Sequence, residues 1–252
     1  MNRQLPKFAL AALIAAWLVT PVARANTITY FTPGGSSVGD GSVEANATFV
    51  TSANTLTITF QDLLSNPNSV GQTLNGVNFT LSNGATTGSL SSQTGMQRTV
   101  NGTGPGQYTD VGNSSSPVTG SLLWNYYAGQ NSNGAPTPGQ NEVTSLGNMA
   151  AKPTIIGPPD SNNAYSAANG SITGGNHDPF LAGPVTVVLT IPGISASTDV
   201  TSVNFLFGTS EGEGTVPGDK IPPIPEPSTL ALAAAGLSVF GVGGMLKRRR
   251  RR

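Results

Sequence analysis

Strict alternation of apolar and polar residues is the clearest pattern in the chain, and it falls in short segments. In each segment, apolar side chains take every second position and mostly Thr, Asn or Ser lies between them, as in a strand with one buried face. The segments are 43–49, 55–61, 77–81, 185–191 and 203–207. Residues 26–224 show no convincing helical period. The pattern therefore predicts an all-β fold, with a β-sandwich or jelly-roll-like body.

The middle of the chain, residues 95–183, gives a weaker signal because Gly, Asn, Ser and Pro are frequent there. A structureless loop of this length would be unusual inside a compact domain. We therefore expect short strands, one of them around residues 118–127, which include the apolar stretch LLWNYY. Residues 129–139 are the best candidate for a flexible loop. Residues 208–224 contain Pro and acidic side chains and are predicted to be a linker, so that the body occupies residues 26–207.

The first 25 residues show the three parts of a secretory signal peptide. Arg3 and Lys7 make a basic start, and residues 8–19 form an apolar run that is short for a bilayer span. Ala23 and Ala25 then supply the small side chains that signal peptidase accepts at positions −3 and −1. We predict export and cleavage after Ala25.

The C-terminal end carries a second targeting pattern. Pro225, Glu226 and Pro227 precede an uncharged stretch from Thr229 to Leu246. As a helix this stretch would span roughly 27 Å, close to the hydrocarbon core of about 30 Å. A basic tail closes the chain: Lys247, Arg248, Arg249, Arg250, Arg251 and Arg252. Because a basic cluster after a span stays in the cytoplasm, the pattern predicts a transmembrane helix with the body outside.

In this order and position, the Pro-Glu-Pro tripeptide, the weakly apolar helix and the Arg cluster resemble the PEP-CTERM sorting signal. The resemblance covers residues 225–252, about a tenth of the chain. It implies recognition by a membrane-embedded exosortase and delivery of the body to the cell surface or beyond, often in bacteria that make exopolysaccharide. Ile224 stands where Val commonly precedes the tripeptide, which conserves shape. The alternative is a plain C-terminal anchor that keeps its basic tail.

Charge separates the body from the two ends of the chain. The whole chain has a formal net charge of zero, but residues 26–224 carry three basic and eleven acidic side chains, a net charge of −8. An acidic surface repels phosphate backbones, which argues against nucleic acid as a partner. The chain has no cysteine, so disulfides, thiolate metal sites and cysteine nucleophiles are excluded.

Candidate catalytic residues are few, and none lies in a recognisable motif. His177 is the only histidine and precedes Asp178, but adjacent side chains usually point apart in an extended chain. No G-x-S-x-G motif supplies a nucleophile. Carboxylate pairs of the kind that glycosidases use could come from three places. They are Asp40 with Glu44, Glu211 with Glu213, and Asp160 with Asp178. We interpret these carboxylates as solvated charge and predict that the protein is not an enzyme.

Two binding interpretations stay open. Trp124 and Tyr126 share one strand face and could stack on sugar rings, with Tyr127 on the opposite face; alternatively, one of these faces packs in the core. Calcium is the one cofactor considered, because exported β proteins often bind it through loop oxygens, although no D-x-D-x-D-G loop is present. The candidate ligands are Asp160, Asn162 and Asn163, or Asp40 and Glu44. No repeat of fixed period is visible along the chain.

The leading hypothesis is a non-enzymatic surface or matrix protein that associates with polymers of an exopolysaccharide layer through a polar β surface. Its partners during export would be signal peptidase, the membrane and the exosortase. The competing hypothesis is a carbohydrate-binding module or glycan-acting enzyme in the same layer. A plain anchored surface protein is the third, and it predicts that the mature chain keeps its basic tail.

Overall fold

The computed structural model describes residues 25–112, 118–119, 124–147 and 153–221, and these form an all-β body. The predicted signal peptide up to residue 24 and the predicted C-terminal helix lie outside the described residues. Within the described ranges, no helix is long and apolar enough to span a bilayer. Apart from the strands, these ranges contain the 3-10 helix Val70–Gln72 and one short helix, α1 (Gly170–Thr173).

The strands of the described ranges are mostly short. They are β1 (Asn26–Phe31), β2 (Ser37–Val38), β3 (Gly41–Ser42), β4 (Ala45–Ser52), β5 (Thr55–Asp62), β6 (Leu74–Leu81), β7 (Ser89–Val100), β8 (Tyr108–Val111), β9 (Val118–Thr119), β10 (Asn125–Gln130), β11 (Pro136–Thr144), β12 (Ile155–Ile156), β13 (Phe180–Thr190), β14 (Val200–Phe207), β15 (Gly214–Pro217) and β16 (Asp219–Lys220). The five alternating segments of the sequence overlap β4, β5, β6, β13 and β14, so that these strands are confirmed.

Strands β2 and β3 pair only with each other, and hydrogen bonding arranges the other strands in two layers of a sandwich-like body. The larger layer has the order β16-β1-β4-β5-β13-β7, with β8 and β9 paired to the far side of β7. The smaller layer has the order β15-β14-β6-β11-β10. The short strand β12 joins the layers, because it pairs in parallel with β13 and antiparallel with β6. The sheet thus curls over itself and encloses its apolar side chains.

The core lies between the two layers and follows from the alternation of the strands. Along β4 and β5, buried and half-buried residues alternate without interruption. Phe49 of β4 is fully buried, and its ring centroid lies 5.5 Å from that of Phe79 on β6 and 6.1 Å from that of Tyr30 on β1. The Tyr30 hydroxyl donates a hydrogen bond to the carbonyl oxygen of Val200 on β14, at 2.8 Å. Aromatic packing and this hydrogen bond therefore tie the two layers together.

Two segments that we expected to be irregular contain strands. Residues 129–139, predicted to be a flexible loop, contain the end of β10, the turn at 131–135 and the start of β11, and Gln130 pairs with Pro136. The predicted linker contains β15, which pairs with β14, and β16, which pairs with β1. Each strand is too short to show a period in the sequence, and long-range pairing provides the hydrogen bonds that local pattern does not reveal. The compact body extends to Lys220 rather than to residue 207.

A second, smaller core lies beside the sandwich and contains one buried cation. Arg98 of β7 donates from Nε and Nη2 to the carboxylate of Asp110 on β8, at 2.6 and 2.7 Å. Its Nη1 donates to the hydroxyl of Tyr165 at 2.9 Å, and its guanidinium lies 4.2 Å from the ring centroid of Tyr108. The cluster fixes the loop around Tyr165 against β7 and β8. Its buried apolar members are Val70, Val100, Ile156, Tyr165, Ala168, Ile172 and Phe180.

Candidate functional site

The predicted aromatic platform does not lie on the surface. Trp124 is 1% exposed, its ring centroid lies 5.4 Å from that of Phe60, and its Nε1–H donates to the carbonyl oxygen of Pro153 at 3.0 Å. Tyr126 packs against the same core, and its hydroxyl donates to Asn141 Oδ1 at 2.6 Å. Sugar contact at Trp124 is therefore a wrong prediction, and the alternative that this face belongs to the core is confirmed.

Two of the carboxylates considered as members of catalytic pairs accept hydrogen bonds from the backbone. Glu213 accepts hydrogen bonds from the backbone N–H groups of Thr209 and Ser210 at 2.6 and 3.0 Å, which closes the turn after β14. Asp178, next to His177, accepts the backbone N–H of Val100 at 3.3 Å. These contacts give the two carboxylates a role in holding loops.

The same holds for the oxygens considered as calcium ligands. Asp160 accepts the backbone N–H groups of Asn162 and Ala164 at 2.9 and 3.0 Å and the hydroxyl of Ser166 at 2.6 Å. The hydrogen bond from Ser166 is the main cause that lowers the pKa of Asp160. Asp40 accepts the hydroxyl of Ser69 at 2.5 Å. Within the described residues, no three His, Asp or Glu side chains gather as a metal site would require, and calcium binding stays a prediction.

One pair of carboxylates comes together that no sequence pattern indicates. Glu142 of β11 is 2% exposed and accepts the backbone N–H of Ser132 at 3.1 Å. The Ser132 hydroxyl donates to the carboxylate of Glu211, in the loop between β14 and β15. Burial, and next the negative charge of Glu211, raises the pKa of Glu142 to about 7. Through Ser132, the buried Glu142 therefore connects β11 to the loop that carries Glu211.

This contact predicts a pH dependence of stability. The folded pKa of Glu142, about 7, lies above its ordinary value of 4.5, so protonation favours the folded state. The stabilisation is complete below about pH 4.5 and is lost as the pH rises through 7, by up to about 3 kcal/mol. We expect Glu142→Gln to abolish this part of the pH dependence, measured as the free energy of unfolding between pH 4.5 and 8.

The comparison with wild type isolates Glu142 from other titrating groups. Asp62 is buried, and burial raises its pKa well above its ordinary value. It therefore contributes equally to the pH dependence of the free energy of unfolding in both proteins. Glutamine keeps an oxygen that can accept the N–H of Ser132 and removes only the titration. Identical pH profiles for the two proteins would show that Glu142 does not titrate as stated.

A row of threonines crosses the outer side of the larger layer. It follows from the register, because each threonine pairs with the next one on the neighbouring strand. Neighbouring strands lie about 4.8 Å apart, so the residues recur at this spacing. Some hydroxyls also bond to each other, with Oγ1 distances of 3.1 Å between Thr29 and Thr48 and 3.3 Å between Thr59 and Thr186. The row contains Thr29, Thr48, Thr59, Thr186 and Thr94, and the register continues to Thr119 on β9.

Two further rows run parallel to this one, two and four residues along the strands. We call the three rows together the threonine face. Its members on β1, β4, β5, β13 and β7 are half-buried or exposed, and none of them carries a charge. The second row contains Thr27, Val50, Thr57, Val188 and Ser92. The third contains Ser52, Thr55, Thr190 and Ser89.

Sequence reasoning missed the threonine face because the face repeats across strands and not along the chain. Its rows join β1 and β4 near the start of the body to β13 near its end. Alternation alone placed Thr and Ser on the outer side of several strands. Only the register shows that these outer residues align, since a shift by one residue would turn every side chain to the other face.

Comparison with known proteins bears on the C-terminal end. Residues 223–252 match the family model of the PEP-CTERM protein-sorting motif. The match contains the tripeptide, the uncharged stretch and the basic tail, and it confirms the resemblance noted from the sequence. No curated protein and no solved structure shows significant similarity to the chain.

Proposed function

We propose that this PEP-CTERM protein is a non-enzymatic component of the extracellular layer, held there by adhesion of the polar outer surface of its β body to the polymers of that layer. The sorting motif at residues 223–252 implies export and exosortase processing of a membrane-anchored precursor. The observation that carries the adhesive role is the threonine face, because it presents an ordered array of hydroxyl groups on the outside of the body.

Adhesion suits such a surface for a physical reason. Each exposed hydrogen bond contributes little net free energy, on the order of 1 kcal/mol, because it replaces a bond to water. A surface with many equivalent groups therefore gains affinity by repetition, when a long polymer contacts several rows at once. The face offers three rows over up to five strands, which is the kind of repeated contact that polymer association needs.

A glycan-acting enzyme is the second candidate, and the pair of carboxylates formed by Glu142 and Glu211 is the observation that favours it. A raised pKa next to a second carboxylate is typical of a general acid. The 2% exposure of Glu142 weighs against this candidate, because a substrate would have to reach the buried group. Release of reducing ends from the purified polymer by the protein would contradict the non-enzymatic proposal.

We expect the extracellular protein to begin at Asn26 and to lack the basic tail of residues 247–252. Signal peptidase would remove the first 25 residues, and the exosortase would process the chain near its tripeptide. Intact mass measurement and terminal peptide mapping of membrane and extracellular fractions check this result.

The matched control is a variant with Pro225, Glu226 and Pro227 all replaced by alanine, which leaves the apolar stretch and the basic tail unchanged. This variant should accumulate in the membrane fraction with its tail intact. If the wild-type chain also keeps its tail in every fraction, the protein is a plain anchored surface protein and the processing step is wrong.

A further inference from the structure

We infer that the threonine face is a binding site for an uncharged polysaccharide. This inference rests on the proposed function, which leaves open both the part of the body that adheres and the class of polymer. Three properties of the face support it: the absence of charge, the combination of hydroxyl and methyl groups, and the geometry of a twisted sheet.

Charge excludes the anionic polymers as the preferred partner. The rows of the threonine face contain Thr, Ser and Val only, so no cation on the face compensates a carboxylate or sulfate group of a polymer. The net charge of −8 over residues 26–224 would in addition repel such a polymer as it approaches. An uncharged polymer meets neither obstacle, because its affinity does not depend on ion pairs.

The side chains of the face match the chemistry of sugars. A threonine hydroxyl offers one donor and two acceptor positions, so the bond between Thr59 and Thr186 leaves capacity on both oxygens. Val50 and Val188 lie in the adjacent row and expose methyl groups beside the hydroxyls. A pyranose ring likewise has C–H groups on its flat faces and hydroxyl groups on its rim. When the threonine face and a sugar ring meet, their hydroxyl groups can therefore hydrogen-bond to each other while their methyl and C–H groups are in contact.

Geometry favours a flexible chain over a rigid partner. Adjacent strands of a sheet rotate by about 20° relative to one another. A flat, rigid surface can therefore contact the rows over only a few strands before the sheet turns away from it. A polysaccharide chain can turn about its glycosidic bonds and remain in contact. A second copy of this protein fits less well, because the centres of protein–protein interfaces are enriched in aromatic residues, Met and Arg, and the threonine face has none of these.

The test uses the native protein, purified from the cells that export it, with an insoluble neutral glucan, soluble dextran and the anionic polymer alginate as probes. We expect binding to a neutral glycan and about tenfold weaker binding by the double variant Thr59→Val, Thr186→Val, which loses two hydroxyls at the centre of the face. Valine keeps the shape and the strand preference of threonine, so the fold should persist. A double lysine variant at the same positions should lose binding further, because it places charge on the face.

The control variant is Thr201→Lys, an exposed position on β14 in the smaller layer. It should bind as wild type does, and the fluorescence of Trp124 should confirm that every variant is folded. Binding to alginate alone, or equal binding by wild type and the valine variant, would overturn the inference. It would also be overturned if the valine variant lost only self-association, measured by sedimentation, because the face would then bind a second copy.

The design separates failure of the inference from failure of the proposed function. If the wild-type protein is not retained in the extracellular layer at all, adhesion itself is wrong. If it is retained and the valine variant is retained equally, adhesion stands and the threonine face is not the site.

Discussion

Replacement of Phe49 by alanine is expected to lower the free energy of unfolding of the body by about 3–5 kcal/mol. Phe49 is fully buried between the layers and contacts the rings of Tyr30 and Phe79. Its loss removes buried apolar area and leaves a cavity, which the hydrogen-bonded strands on either side cannot close. Since domains of this size are stable by roughly 5–15 kcal/mol, one substitution would remove a large share of the total.

Chemical denaturation followed by the fluorescence of Trp124 measures this change. Trp124 is a suitable probe because it is buried in the same core, and the other tryptophan, Trp17, lies in the predicted signal peptide. The control is Thr27→Ala, an exposed position on β1, which should change stability by no more than about 0.5 kcal/mol. A loss below about 1 kcal/mol for Phe49→Ala would mean that the layers do not pack through this ring.

Replacement of Arg98 by methionine is the second large effect that we expect, with a loss of about 2–3 kcal/mol. Methionine keeps much of the side-chain volume but leaves Asp110 and the Tyr165 hydroxyl without the cation that binds both. Breaking one partner of a buried pair is costly because the other charge stays behind. The loss is smaller than for a fully buried pair, because the Asp110 side chain is 29% exposed and keeps some contact with water.

A matched comparison comes from another ion pair, between Lys220 and Asp199. Lys220 Nζ lies 2.8 Å from the carboxylate of Asp199, but the two side chains are 34% and 40% exposed. We therefore expect Lys220→Met to cost less than about 1 kcal/mol. Arg98→Lys should fall between the two, because lysine keeps the charge but cannot make the paired hydrogen bonds to the carboxylate. Equal losses at Arg98 and Lys220 would show that burial of Arg98 contributes nothing.

Of the sixteen strands in the described residues, local pattern predicted the five with clear alternation, β4, β5, β6, β13 and β14. It could do so because alternation shows which side of a strand is buried, whichever strand it pairs with. Phe49 and Phe79 stand in such runs, and both lie in the core. The edge strands β15 and β16 could not be predicted in this way. They are only four and two residues long, and they exist because β14 and β1 present free backbone groups to them.

The candidate sites were less accessible to sequence reasoning. Glu142 and Glu211 come together because Ser132, in the turn of the β10–β11 hairpin, forms hydrogen bonds to both. The threonine face depends on the register between strands that are distant in the chain. At Trp124 the error was of the opposite kind, because the sequence indicated a surface site where the structure has a core residue. An exposed aromatic platform and a buried core can contain the same aromatic residues in the same order. The sorting motif was readable because its parts follow one another in the chain and need no folded partner.

The pairing of β16 with β1 has a mechanical consequence. Any pull that reaches the body through its C-terminal end acts first on Asp219 and Lys220. They are held to β1 by only two residue pairs, and Lys220 forms one partly exposed ion pair with Asp199, just before β14. β16 should therefore detach at low force, followed by β15, whose four residues pair only with β14. The released segment would lengthen the tether and absorb a sudden load, while the strands that carry the threonine face stay in place.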